Sequence, residues 1–260
     1  ETMRNHFNKF VSRTKEGGTV IAKKEIRLEV AENVNLLSYS RENKAPFFAT
    51  NIQQVNGKYE FDLNTPDHGV LHIRLGIPGL INIENAVGAA AASLTAGANP
   101  QELIEAFNSF TGIKRRFENI NVSKNLIYID DYAHHPEEIN GLLNSVKHMY
   151  PAKKILGVFQ PHLYSRTRDH AEGFAESLNQ LDEVILLPIY PAREKPIPGI
   201  ESEMILRLMK KPGGIVSEKK DLIKNLEIRE FDILLTIGAG DIDELVEPIT
   251  NYLITKKVKV

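Results

Sequence analysis

Met3, Phe7, Phe10 and Val11 recur at the spacing of one helical face, and Gly17 with Gly18 closes that segment. The apolar run Thr19–Ala22 follows and reads as a short buried strand, which makes a helix-to-strand unit of an α/β sheet. From about Leu36 to Leu75 the pattern changes to alternation: IQQV, the pair Asn56-Gly57, KYEFDL, a Thr-Pro-Asp-His-Gly turn and VLHIRL. Asn-Gly between alternating runs signals a hairpin, because both turn positions need positive φ, so a small antiparallel sheet is expected here. The alanines from Ala89 to Ala92 predict a thin helix able to approach a sheet closely. Gly97 ends it, and Asn99-Pro100 caps a second helix reaching about Ser109.

Beyond TGIKRRFE the chain repeats an apolar strand, a polar loop and an amphipathic helix. The strands read as Leu126–Ile129, Ile155–Phe159, Val184–Ile189, a short one near Ile215, and Ile233–Ile237. Between the first two, Ile139, Leu142, Leu143, Val146 and Met149 form one stripe over Pro136–Met149. Alternation on this scale predicts an α/β fold with a doubly wound, mostly parallel, Rossmann-like sheet carrying helices on both faces. The expected division is a partial central α/β domain with the small antiparallel sheet over residues 1–112, and the parallel-sheet domain over 113–260.

Composition narrows the picture. Hydrophobic residues make up 42% and charged residues 25%, with a formal net charge of -2, so no bulk field attracts nucleic acid or an anionic membrane. Any phosphate site must be local. No apolar run approaches the roughly 20 residues of a membrane span, and the lack of cysteine excludes disulfides, thiolate metal sites and a cysteine nucleophile while suiting a reducing cytoplasm. The chain opens at Glu1 without an initiator methionine, and a fragment of a longer protein is expected. Residues before about Leu36 should then expose an apolar face open to self-association.

In an open parallel sheet, ligands bind outside the carboxyl ends of the strands. Asp130 to His135, in IDDYAHHPEE, occupy such a place. Two plain readings are that an Asp closes a turn while His135 caps the helix begun at Pro136, and that the loop binds a ligand. A third is a metal-dependent hydrolase built on Asp130, Asp131, His134 and His135, although the spacing matches no usual zinc pattern. FQPHLYSRTRD places His162, Arg166 and Arg168 on a loop before a helix expected near Asp169, and arginine forks suit carboxylate or phosphate. The tips of these two loops are expected to face one hollow from side-by-side strands. The proline-rich segment Pro188–Gly199 reads as a stiff surface loop whose Arg193, Glu194 and Lys195 are solvated charges. In IGAGDID, Ile237–Asp243, the glycines make a tight strand-to-helix turn.

Taken together, DDYAHHPEE, FQPHLYSRTRD, YPAREKPIPG and the terminal GAGDI resemble, in this order, the C-terminal domain of the bacterial Mur ligases. GLINIENAVGAAAA and GIKRRFE resemble the end of that family's central ATP-binding domain. The resemblance covers nearly the whole chain and implies a cytoplasmic ligase of peptidoglycan synthesis, and HLYSRTRD points to the branch that joins UDP-N-acetylmuramate to L-alanine. The implied reaction uses ATP with Mg2+: the carboxylate takes the γ-phosphoryl group, and alanine's amine displaces phosphate from the acyl phosphate. By the same resemblance Asn82 and Asn85 face the adenine, Asp131 the ribose, and Arg115 or Arg116 the nucleotide. Tyr132 and His134 stand near alanine with His162 and Arg166, the last on its carboxylate, and His134, His162 and Arg166 are the implied catalytic residues. Ile81 and Leu163 depart from the family pattern, where histidine and arginine are often found. No Gly-Lys-Thr phosphate loop occurs in the chain, and the family places that loop, its magnesium ligands and a uridine-nucleotide domain upstream. The expectation is an active parent and an inactive isolated stretch, with a non-catalytic nucleotide-binding module as the other alternative.

Overall fold

The computed structural model describes residues 2–55, 57–120, 126–211 and 213–256, which fall into two compact units, Glu1–Thr111 and Gly112–Val260. The first unit runs α1 (Thr2–Val11), β1 (Thr19–Lys23), β2 (Asn35–Ser40), β3 (Phe47–Val55), β4 (Lys58–Thr65), β5 (Gly69–Arg74), α2 (Leu80–Thr95) and α3 (Pro100–Ser109). Its strands form one sheet in the order β1-β2-β3-β4-β5. The first two pairings are parallel and the last two antiparallel, so the antiparallel sheet expected between Leu36 and Leu75 is the outer part of a mixed sheet. Alternation reports which face is buried, not strand direction. Direction here follows from stagger: Tyr39 pairs with Phe47, so β3 starts level with the end of β2 and the short link 41–46 suffices for a parallel pair.

Asn56, half of the expected hairpin turn, lies outside the described residues; Gly57 has φ 78. The alanine-rich α2 lies against the sheet through Ile83, Ala86, Val87, Ala90, Ala91 and Leu94. Its approach is close, since a Cβ at Gly88 would stand 3.0 Å from the Tyr39 ring. The Asn99 side chain caps α3 by accepting from the amides of Gln101 and Glu102. On α1 Val11 is buried, while Met3, Phe7 and Phe10 are 74%, 58% and 71% exposed, so the helix presents the apolar face expected before Leu36.

The second unit runs β6 (Glu118–Ile120), β7 (Ile127–Asp131), α4 (Pro136–Met149), β8 (Ile155–Phe159), α5 (Tyr164–Leu178), β9 (Glu183–Leu186), α6 (Glu203–Leu208), β10 (Ile215–Val216), α7 (Leu222–Glu227), β11 (Ile233–Ile237) and α8 (Val246–Lys256). A 3-10 turn over Asp241–Leu245 joins the last two. The sheet order is β10-β9-β8-β11-β7-β6, parallel throughout except at β6. One face packs Tyr128, Leu156, Val158 and Leu234 against Leu222, Leu226, Ile249 and Leu253 of α7 and α8. On the other, Phe159 meets Phe174 of α5 with centroids 5.3 Å apart. This is the doubly wound α/β arrangement, with helices on both faces. Among the described residues no helix is long and apolar enough to cross a membrane.

Three expectations need correction. The strands β7 and β8 are not side by side, because β11 returns from the far end of the chain to lie between them. β9 stops at Leu186 rather than Ile189; Pro188 has no N–H to continue a ladder. And α5 begins at Tyr164, five residues before Asp169, which places Arg166 and Arg168 on a helix rather than a loop.

Candidate functional site

Register sets the site's floor. Asp131 pairs with Ile237, Ile237 with Phe159, and Phe159 with Leu186, so four strands end level and their loops leave the same carboxyl edge. The chain crosses from β7 to β8 with β11 inserted between, which is the switch-point arrangement where a parallel sheet opens a crevice.

The strand β7, expected to end at Ile129, runs on to Asp131, so two carboxylates with different tasks stand at its end rather than on the loop. Asp131 turns back on the chain, its oxygens accepting the amides of Phe117 at 2.7 Å and Ala133 at 2.8 Å. Burial pushes its carboxyl above the ordinary range, and those two amides oppose the shift. Asp130 is 1% exposed. It accepts the Thr236 hydroxyl at 2.5 Å, and the Arg115 Nε stands 3.4 Å from its other oxygen. Burial pushes Asp130 up to about 6, against the pull of Thr236 and the Arg115 charge. With the Thr236 proton committed to an ionised Asp130, the Tyr128 hydroxyl, 3.2 Å away, donates to Thr236.

Arg115 continues outward from Asp130. Its guanidinium donates to the carbonyls of Gly238 at 2.5 Å and Gly240 at 3.4 Å, faces Asp243 at 3.5 Å, and lies 4.9 Å over the Tyr132 ring. Arg116 approaches the same ring at 5.8 Å and is exposed. Of the two arginines implied at the nucleotide, Arg115 is thus spent on the strand ends, whereas the Arg116 guanidinium makes no hydrogen bond or ion pair among the described residues.

From Tyr132 a row of rings crosses the edge. Tyr132 meets His134 edge-on at 5.3 Å, His134 meets His162 at 6.2 Å, and His162 stacks on Tyr190 at 5.7 Å with 23° between planes. The loops after β7 and β8 therefore do meet, despite the strand between them. The Tyr132 carbonyl lies 2.9 Å from the His134 Nδ1, and a carbonyl only accepts, so Nδ1 carries hydrogen and Nε2 is the nitrogen presented outward. His162 is held below the ordinary histidine range by burial first, then by the charge of Arg166 and by His134. It is therefore a neutral imidazole at pH 7. Its Nδ1 and the Nη1 of Arg166 are buried polar atoms without hydrogen-bond partners among the described residues, and groups of that kind call for a ligand.

Other sequence expectations divide. His135 does cap α4, accepting the Glu137 amide while Glu138 reaches back to the His135 amide. Arg168 is exposed and paired with its neighbour Asp169. Glu194, expected to be a solvated charge, instead accepts the Ser165 amide at 2.9 Å and the Ser165 hydroxyl. Tyr190 was missed; its signal is the aromatic flanked by prolines one loop beyond the histidines. The hydrolase reading finds no ligand set, since Asp130 faces Arg115, His135 caps a helix, and no three His, Asp or Glu side chains converge among the described residues. In the first unit, Asn82 and Asn85 sit on the opening turns of α2; the Asn82 amide donates to the Pro78 carbonyl at 2.6 Å, and Asn85 donates to Asn82 at 3.4 Å.

The Mur ligase middle domain profile matches residues 1–93, and the Mur ligase, glutamate ligase domain profile matches residues 115–240. UDP-N-acetylmuramate–L-alanine ligase of Porphyromonas gingivalis is 42% identical over 98% of this chain and 57% of its own length. The ligase of that name from Parabacteroides distasonis is 40% identical over 97% and 55%. The chain thus spans a little over half the length of these relatives. Among solved structures, UDP-N-acetylmuramate-alanine ligase MurC of Thermotoga maritima shares the fold, with TM-score 0.73 at 24% identity over 98% of this chain and 54% of that one. MurF ligase of Thermotoga maritima, determined in complex with ADP, superposes at TM-score 0.72 and 17% identity over 95% and 56%. With both of its units matched by the domains of one family, and with relatives of that family aligned along nearly its whole length, this chain belongs to the Mur ligases.

Proposed function

We propose that the intact protein carrying this chain joins L-alanine to the carboxylate of UDP-N-acetylmuramate at the expense of ATP, as a cytoplasmic step of peptidoglycan synthesis. The observation that carries the reading is the meeting of His134, His162 and the unpaired Arg166 fork at one strand edge; the names of the 42%-identical relatives support it. Arg166 takes the alanine carboxylate in a charge-assisted fork. Tyr132 and His134 flank the amine, and the outward His134 Nε2, with neutral His162 beside it, receives the proton that the amine must shed as it attacks. The sugar carboxylate first accepts the γ-phosphoryl group; the amine adds to the acyl phosphate, and the tetrahedral adduct expels phosphate. In the first unit, Asn82 and Asn85 retain amide groups that suit an adenine edge; in the second, Arg116 keeps a guanidinium that suits phosphate, while both Asp131 oxygens already accept backbone amides. Arg115 acts on the protein rather than the ligand. Magnesium, which the family reading pairs with ATP, has no ligand set among the described residues, and no residue here is assigned to it.

The test is ligation by the intact protein with labelled L-alanine, ATP and UDP-N-acetylmuramate. Product dependent on all three is expected, and Arg166→Ala should lower kcat/KM for alanine on the order of 100-fold while leaving the KM for ATP near its original value. Nucleotide binding without alanine-dependent product would overturn the reading in favour of a non-catalytic module. Residues 1–260 expressed alone, which include no Gly-Lys-Thr phosphate loop, are proposed to give no turnover.

A further inference from the structure

The helix α5 lacks a cap of its own. Its N-cap position is Leu163, at φ 69, with no side chain able to accept from the first turn. Non-glycine residues rarely hold that conformation, and something outside the helix must hold this one. The proline-rich segment does so at three points. Tyr190 donates its amide to the Pro161 carbonyl at 2.8 Å and accepts the Leu163 amide at 2.9 Å; its ring stacks on His162; and Glu194 reaches across to accept both the amide and the hydroxyl of Ser165. The bond from the Ser165 hydroxyl, and next that from its amide, hold the Glu194 carboxyl below the ordinary range, so it is ionised at neutral pH.

Arg166 follows Ser165 directly, yet no ion pair joins it to Glu194 or to any other carboxylate among the described residues. The acid nearest the first turn spends its lone pairs on helix donors and leaves the guanidinium unneutralised. We infer that Glu194 is a positioning residue: it caps α5 from a distant loop, fixing the aim of Arg166 and His162 while keeping the Arg166 charge available to a substrate carboxylate. This inference rests on the role given to Arg166 above. It also explains why a charge of such exposed appearance in the sequence points inward, since a helix N-terminus attracts an anion, and filling it with the chain's own carboxylate leaves Arg166 as the site for the substrate's.

Substitutions in the intact protein separate this from mere support. Glu194→Ala should raise the KM for L-alanine on the order of ten-fold, with the KM for ATP nearly constant. Glu194→Gln keeps an oxygen for the Ser165 amide and an N–H for its hydroxyl, so it should restore the alanine KM to within about three-fold of the parent. Ser165→Ala should add little on top of Glu194→Ala, as partners in one contact do. An equal rise of both KM values, or no rescue by Gln, overturns the inference. A readout independent of turnover is the NMR titration of His162, which is faced by Arg166, His134, Tyr190 and Glu194. The Glu194 charge raises its midpoint, so the midpoint should fall in both Glu194 variants, and an unmoved midpoint in both counts against the placement. Absence of alanine-dependent product in the unsubstituted protein defeats the functional reading by itself, and the titration together with the Ser165 amide shift then decides the capping contact.

Discussion

Asp130 is the residue at which the chain departs furthest from a comfortable choice. It sits on a face otherwise given to Tyr128, Leu234 and their apolar neighbours, one oxygen bonded to Thr236 and the other facing Arg115 at 3.4 Å without a formal hydrogen bond. Its carboxyl rises from an ordinary value near 3.8 to about 6. Between those two values the folded chain holds a proton that the unfolded chain has released, so stability falls as pH rises from about 4 to about 6. That rise corresponds to about 3 kcal/mol, present in full below about pH 4 and lost above about pH 6. Asp130→Asn should remove this slope from denaturant unfolding measured at several pH values. The raised carboxyl of Asp131 leaves a residual slope of the same sign. An undiminished slope in the variant would mean that Arg115 holds Asp130 ionised throughout. None of this was visible in IDDYAHHPEE: alternation along a strand says that Asp130 and Tyr128 share a face, but not that Arg115 enters beneath it from a separate segment.

At the scale of elements, the turn 238–243 shows how closely the strand ends are fitted. Gln160, just past β8, accepts the Ile242 amide at 2.9 Å and donates to Asp241 at 2.8 Å, while Lys219 pairs with Asp241. A Cβ at Gly240 would stand 2.4 Å from the Gln160 Oε1 and 2.6 Å from the Tyr190 Cβ. Gly240→Ala should therefore destabilise the protein by about 1–3 kcal/mol and disturb the Tyr190 ring under His162. Gly141, in the middle of α4 with nothing within 4 Å of its would-be Cβ, makes the contrast: Gly141→Ala should stabilise by roughly 0.5–1 kcal/mol. Thermal unfolding of the two variants in parallel checks both, and a stable Gly240→Ala protein would show that the turn can shift. The sequence located the turn and, to within a few residues, the strands, because local spacing records them; it expected the loops after β7 and β8 to meet, but on the mistaken ground that those strands are neighbours. It misplaced the start of α5, because the cap comes from Glu194, 29 residues onward, and local capping signals cannot report a distant acceptor. The insertion of β11 between β7 and β8 is hidden for the same reason: strand order is fixed by long-range packing, and nothing in the Ile233–Ile237 run distinguishes a central strand from an edge strand beyond its uniform burial.

For the molecule as a whole, the question is how far each unit stands alone. The unit Gly112–Val260 holds a core drawn entirely from its own strands and helices, a six-stranded sheet, and every contact described at the row of rings. Size also favours independence, since domains of about 100–150 residues commonly bury enough surface to fold by themselves. The unit Glu1–Thr111 differs: α2 covers its sheet, but α1 leaves Met3, Phe7 and Phe10 largely exposed, an apolar stripe of the kind that drives association or calls for a covering partner. Residues 112–260 expressed alone should therefore unfold in one cooperative transition and keep the pH slope assigned to Asp130, because Arg115, Thr236 and Tyr128 travel with it. They should also keep the depressed His162 titration, since Arg166, His134 and Glu194 are all retained. Broad, non-cooperative unfolding, or a His162 midpoint returned to the ordinary histidine range, would show instead that the strand edge takes its shape only with residues 1–111 present, and that the site cannot be assigned to the second unit on its own.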